Sequence, residues 1–290
     1  MTTDILVSGL VTGGMYAILA VGFALIFSVG RIVNMAHTAF YMVAAFLIFI
    51  GTSMLKFGLP LSIAGAIIIT TLLGIICYKL FFDRVKEHES TVMIISMALA
   101  MLLQEILLLK FGGEYRGISS FLEGFVEIGG TRVSYQHLFA IVCTGGILLG
   151  LWLWLSRTRI GKAIRAVAQD PEIANLMGIH VSNMYLIVMA VSAGLAGVAG
   201  AVMGPINMIS PLMWAHPIVI VLASVILGGV GSVAGAVVGA FILGYVETLV
   251  VFLIPGGSFL GGPIALCIMV LVLLIRPEGI FGVFFEEERL

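Results

Sequence analysis

The chain alternates long apolar runs with short polar breaks. The runs cover residues 5–29, 32–55, 59–82, 91–110, 137–155, 183–204, 217–230, 232–254 and 263–275 with a few residues beyond. Most reach the ~20 residues that a helix needs to cross a bilayer. They are apolar throughout, without the period of two that marks a membrane β-barrel. Lipid offers no partner to an open backbone group, so helices are expected. The pattern predicts an all-α integral membrane protein, a polytopic bundle of about eight to nine spans, with residues 1–290 forming one transmembrane domain.

Two runs break the rule. Residues 217–230 are too few to cross comfortably, and 32–55 opens on the polar group "NMAHT". Both are read as broken or re-entrant helices, which are tolerated only where protein or a water-filled cavity covers them. The segments "SVGRIVNMAHTAFYMVAAF" (28–46) and "VMGPINMISPLMWAHPIVIVLAS" (202–224) also share a small-residue approach, an Asn-Met pair and a new apolar run. Repeated broken helices of this kind point to a transporter's binding region.

Composition agrees: 61% of residues are apolar and 10% charged, against ~25% charged in soluble domains. Net charge is −1, which gives no field to attract nucleic acid. Cys77, Cys143 and Cys267 stand in separate apolar runs without metal or disulfide spacing, and read as packing residues. The first run is long for a signal peptide and lacks a basic leader, so it is read as the first span.

Charge sets orientation. Arg157, Arg159, Lys162 and Arg165 crowd one connection, so residues 156–182 are placed in the cytoplasm. Counting back places 81–90 inside, and 111–136 and the N-terminus outside. The side of the C-terminus depends on whether 217–230 crosses. In 111–136, "FVEIGGTRVSYQ" alternates around Gly129-Gly130 and predicts a β-hairpin, either a plain connector or a docking surface.

Small residues at i, i+4 spacing form three stripes: Gly231, Gly235 and Gly239; Ala196, Gly200 and Gly204; Gly9, Gly13 and Ala17. Each suits close helix packing, or a smooth face for sliding. Asn34, His37 and Tyr41 share a face if 34–41 is helical, and Asn207 and His216 are their repeat-related counterparts. Glu247 is the one charged residue between Asn183 and Ile275. Polar groups at membrane depth are costly and point to a substrate pathway, with ordinary packing or a wet helix end as the alternative. Glu105, beside Gln104 and Lys110, reads as an interface cap.

The chain has no GxxxxGK[ST] phosphate loop, no HExxH and no GxSxG. An enzyme, and an ATP site in this chain, are therefore not expected. A secondary transporter or channel usually shows more titratable groups inside its spans.

The 156–182 connection predicts two short helices. Ile160, Ala163, Ile164 and Val167 form an apolar stripe, and Pro171 ends the run. Asp170 suits an N-cap, Pro171 the first helical position and Glu172 the first turn. Ile173, Ala174 and Met177 give the second helix an apolar side, and Gly178 suits its C-terminal stop. Such an element either lies on lipid headgroups or docks into a soluble partner.

"GKAIRAVAQDPEIANLMGI" resembles the cytoplasmic loop of ABC-importer permeases of the LivH/LivM branched-chain amino acid type. "RIVNMAHTAFYMVAAF" resembles that family's segment after the first span, with Thr38 where a glycine is usual. "VILGGVGSVAGAVVGAFILGYVETL" and "IRPEGIFG" resemble its C-terminal segments, and the overall spacing is closer to LivH than to LivM. The resemblance implies a permease in a bacterial or archaeal inner membrane. Its partners would be a second LivM-like permease, two cytoplasmic ATPases that bind the ATP, and an external solute-binding protein. It implies no cofactor in this chain. The family's ATPase-coupling segment maps onto Gly161 to Gly178, with Arg165, Ala166, Asp170, Ala174 and Gly178 at matching positions; Pro171 with its Asp170 cap makes that corner rigid. The substrate implied is a branched-chain or other small amino acid, with urea or a short amide as the alternative.

Overall fold

A computed structural model describes residues 2–85, 88–128 and 131–281. Eight of its helices are long and apolar enough to span a membrane. They are α1 (Thr2–Gly30), α2 (His37–Phe49) with a π-helical end Ile50–Met54, α3 (Leu59–Cys77) with a π-helical end Tyr78–Phe82, α4 (Glu89–Phe111), α5 (Tyr135–Arg157), α8 (Val181–Met203), α10 (Val233–Leu253) and α11 (Gly257–Ile275). Between α5 and α8 lie the short helices α6 (Arg159–Gln169) and α7 (Pro171–Leu176), and α9 (Ala215–Gly228) follows α8.

α1 is the central post. Of its apolar window 83% is buried, against 17% for α5 and α11. α10 runs antiparallel along it: Tyr245 Oη donates to the Leu6 carbonyl at one end (3.2 Å), and Ser28 Oγ reaches the Gly231 carbonyl at the other (3.4 Å). The small residues of α1 admit this approach, since Gly9 lies against the Tyr245 ring and Gly13 against Phe241 and Gly244. The two ends of the bundle differ in chemistry. One carries the strands β1 (Phe125–Ile128) and β2 (Thr131–Ser134); the other carries Arg31 and the basic α6.

The hairpin forms as expected, with Val126 opposite Val133 and Glu127 opposite Arg132; its Gly129-Gly130 turn lies outside the described residues. It is tied to the bundle by Thr131 Oγ1, which donates to Asp4 (3.3 Å), and it leads into α5 through Ser134, which caps Gln136 N (3.2 Å). The exposed Arg132–Glu127 pair (3.4 Å) adds little stability.

Both suspect runs are broken helices. Residues 31–36 are not helical, and α2 starts part way along the bundle, with His37 against Leu19 and Gly22 of α1. The break needs partners for its backbone, and it has them: Met35 N donates to Ser96 Oγ (2.9 Å) and Ala36 N to Asn34 Oδ1 (3.0 Å). The second break, 204–214, mirrors it from the hairpin end. Arg116 and Ile209 exchange backbone bonds (2.9 and 2.8 Å), and Trp214 Nε1 donates to Gln104 Oε1 (2.8 Å). α9 then starts beside Tyr16 and ends beside the Gly231 turn, so it covers about half of α1. Its 14 residues span about 21 Å, less than the ~30 Å hydrocarbon core. The two halves thus break in opposite directions, which gives the short sequence repeat a structural meaning.

Three expectations need correction. Gly231 is not on the α10 face: it precedes the helix in a turn at φ +91°, and only Gly235 and Gly239 pack, against Gly228 and Ser224 of α9. Asn34, His37 and Tyr41 do not share a helical face, because the helix begins at His37 and Asn34 caps the break before it. Cys267 is exposed and does not pack in the core, whereas Cys77 is a core residue and Cys143, half-buried, packs against the core. The other two stripes do pack: Gly200 of α8 meets the Tyr41 carbonyl and Ala44 of α2.

α11 starts six residues before the run that began at 263, taking Pro263 into its second turn. Beyond it, the backbone N–H groups of Ile280 and Phe281 donate to the last carbonyls of α9, Leu227 (2.8 Å) and Gly228 (3.0 Å). These carbonyls would otherwise lack partners.

Candidate functional site: a hairpin-side cavity and a capped corner

A cavity of about 430 Å³ lies between α1, α2, α5, α9, α10 and the 204–214 break. Its polar centre is Tyr16, His216 and Glu247. The Tyr16 hydroxyl donates to Glu247 Oε2 (2.7 Å), and His216 Nδ1 stands 3.3 Å from the same hydroxyl. Tyr16 has one proton and directs it at the carboxylate, so the imidazole is the donor in the second contact. His216 Nε2 lies 3.6 Å from Glu247 Oε1. Glu247 is thus partly buried and held at the cavity by Tyr16 and His216.

The rest of the lining mixes polar side chains (Ser8, Thr12, Tyr41, His137 and Asn207) with soft apolar ones. Met15, Met203, Met208 and Met213 surround the polar centre with Val11 and Ile206. Unbranched thioethers adapt to ligands of different shape. Toward the hairpin, a smaller hollow of about 160 Å³ shares Ser8 and His137 with the cavity and reaches Asp4 and Arg132. His137 Nδ1 is buried with no hydrogen-bond partner.

Of the residues expected in a pathway, Tyr41, Asn207, His216 and Glu247 meet in this cavity. Asn34 and His37 do not. His37 is fully buried, with its ring nitrogens 3.0 Å from the Leu19 carbonyl and 3.0 Å from Ser192 Oγ, joining α2 to α1 and α8. Thr38, the departure from the family pattern, is buried as well and lies off the lining. Sequence reasoning missed Tyr16 and His137. A lone tyrosine in an apolar span carries no signal until its partner, 231 positions away, is known. Glu105 is exposed beside Gln104, which holds Trp214.

α11 closes the site through two glycines. A β-carbon on Gly262 would lie 2.8 Å from His216 Nε2, and one on Gly261 would lie 2.8 Å from Glu247 Cγ. Gly262→Ala is therefore expected to push the imidazole off the carboxylate. Uptake should fall several-fold with little loss of thermal stability, as measured in proteoliposomes and by unfolding in detergent.

At the basic end, the corner forms as the sequence requires. Thr158 caps α6 by accepting from Gly161 N (3.0 Å), and Asp170 Oδ1 accepts from Glu172 N and Ile173 N (both 2.9 Å). Gly178 ends α7 at φ +85°. Gly161, Ile164, Val167 and Ala174 are buried. Ile160 is exposed instead, and Ile173, Leu176 and Met177 also point outward. Leu176 is 85% exposed, so α7 presents an apolar tip on a rigid, capped base.

The family model described as the permease component of the branched-chain amino acid transport system matches residues 5–275. The chain belongs to this family. The permease is 29% identical to the high-affinity branched-chain amino acid transport system permease protein BraD of Pseudomonas aeruginosa, over 96% of this chain and 94% of that one. It is equally identical to a probable branched-chain amino acid transport permease protein LivH of Methanocaldococcus jannaschii, over 98% and 93%. Its fold is similar to a chain of PsaBC from Streptococcus pneumoniae, solved in complex with Fab, at a TM-score of 0.53 and 15% identity, covering 94% of this chain and 92% of that chain. The permease is thus a multi-pass membrane protein of a transport family.

Proposed function

We propose that this permease carries branched-chain amino acids through the Tyr16–His216–Glu247 cavity, across the inner membrane and into the cytoplasm. The observation that supports the substrate class is the lining: one partly buried carboxylate beside a wall of methionines. A carboxylate accepts the substrate's ammonium group, and the adaptable apolar wall takes leucine, isoleucine or valine alike. Tyr41 and Asn207 complete the pathway. The hairpin end faces outward, where a solute-binding protein delivers the substrate. The basic end faces the cytoplasm.

The energy comes from elsewhere in the assembly. Two ATPase subunits engage the corner Gly161–Gly178, and a second permease completes the pore; no cofactor is held by this chain. The apolar tip at Ile173, Leu176 and Met177 suits a groove in the ATPase, while the caps at Thr158 and Asp170 transmit its push without bending. Arg165 and Ala166 lie on the same short helix. The cavity shares no lining residue with the hollow at the basic end. Between them Gly13 meets Phe241 and Gly14 meets Thr144. Transport requires those contacts to part.

The test is ATP-driven uptake of radiolabelled leucine, isoleucine and valine by vesicles holding the complete importer. Uptake of urea or a short amide in their place would overturn the substrate reading. Asp170→Ala removes an N-cap worth about 1 kcal/mol, and Gly178→Val forces a left-handed conformation costing about 1–2 kcal/mol. Both changes are expected to reduce stimulated ATPase activity and uptake together. Normal uptake with either would remove the coupling role of this corner.

A further inference from the structure

A second cavity, of about 300 Å³, lies toward the basic end between α1, α5, α6 and α10. Its walls are aliphatic, including Leu25, Leu148, Leu151 and Val237. It lies against a little-covered part of the bundle: 17% of the apolar window of α5 is buried, and Trp152 of α5, at the cavity edge, is 59% exposed. A hollow of this composition at the membrane-facing side does not attract a polar solute.

Its end is different. Arg165 lines it together with Ser28 and Ser156. The Arg165 guanidinium is exposed, and its Nη2 lies 3.5 Å from the Ser156 carbonyl, which uses little of its donor capacity. Arg157, Arg159 and Lys162 stand on the same connection, and residues 156–169 contain no acidic side chain.

We infer that this cavity holds an anionic phospholipid, with an acyl chain in the aliphatic trough and its phosphate on Arg165. The match is one of charge and depth. The guanidinium fork fits two phosphate oxygens, and the surrounding basic residues favour an anionic headgroup over a zwitterionic one. A tryptophan edge suits the headgroup boundary, and basic pockets between helices at this end of a membrane protein bind acidic lipids. Because Ile164, Arg165 and Ala168 of α6 all line the trough, the lipid bridges α6 to the spans. This inference does not depend on which solute is carried.

The experiment is native mass spectrometry of the purified full-length protein, incubated with dioleoyl phosphatidylglycerol or dioleoyl phosphatidylcholine. One phosphatidylglycerol should survive activation that strips phosphatidylcholine. Arg165→Gln should lower its retention roughly tenfold, the effect of removing one charged hydrogen-bonding group. Ala234→Phe, which fills the trough from an exposed position on α10, should lower retention of both lipids. Arg132→Gln, at the hairpin end, should leave retention unchanged. Equal phosphatidylglycerol retention by the wild type and Arg165→Gln would overturn the proposal. So would a photo-crosslinker at position 152 that captures a second permease chain in native membranes instead of lipid.

Discussion

Glu247→Gln is expected to cut uptake by roughly 10–100-fold while the bundle stays folded. The Tyr16 hydroxyl would still find an acceptor, because glutamine keeps one carbonyl oxygen where Glu247 Oε2 now accepts at 2.7 Å. What is lost is the negative charge. A substrate ammonium entering the cavity would meet a neutral amide in place of a carboxylate, and a charged hydrogen bond is worth about 1.5–3 kcal/mol. Tyr16→Phe is the companion change. It frees the carboxylate and removes the partner of His216 Nδ1, and should lower uptake less. Uptake rates and thermal unfolding are measured on the same preparations. Wild-type uptake kinetics in both Glu247→Gln and Asn207→Ala would remove this cavity from the pathway.

Gly235→Leu should destabilise the protein by about 3 kcal/mol or more, beyond the usual range for overpacking, and should abolish uptake as a result. A side chain at this position meets the backbone of Gly228 directly, and at Gly239 it meets the Ser224 carbonyl. Flexible side chains can step aside; backbone in a helix cannot. The α9–α10 corner would have to open, and the Ile280 and Phe281 bonds to the end of α9 would go with it. Thermal unfolding in detergent and the yield of inserted protein are the measurements. Full yield and stability with lost uptake would instead make this face a sliding surface.

Much of the fold was legible because lipid leaves the chain few options. Seven of the eight spans follow from run length, α11 starting six residues before its run, and the corner at Asp170-Pro171 follows from its cap and its proline. The cavity was legible only in pieces. Asn207, His216 and Glu247 stood out because polar groups in an apolar run are costly, and the same cost drew attention to Asn34 and His37. Their roles separate only in three dimensions: Asn34 meets its cost by capping a break, and His37 by bonding Leu19 and Ser192. Tyr16 and the methionine wall were silent, since tyrosine and methionine are ordinary residues in such runs. Gly231 failed as a stripe member because spacing by four has meaning only inside a helix, and the helix begins at Val233.

The packing of α1 also fixes an order of assembly. α1 is the most buried of the eight spans, and Tyr16 finds Glu247 only when 231 further residues have been made. At about 5–20 residues per second, that is a wait of roughly 10–50 s. During it the glycine face that α10 will cover, and a tyrosine hydroxyl with no acceptor, stand unpaired in the bilayer or in the insertion machinery. A chain cut short before α10 would leave that face permanently open, so nascent-chain length, more than span hydrophobicity, decides when this protein becomes resistant to membrane proteolysis.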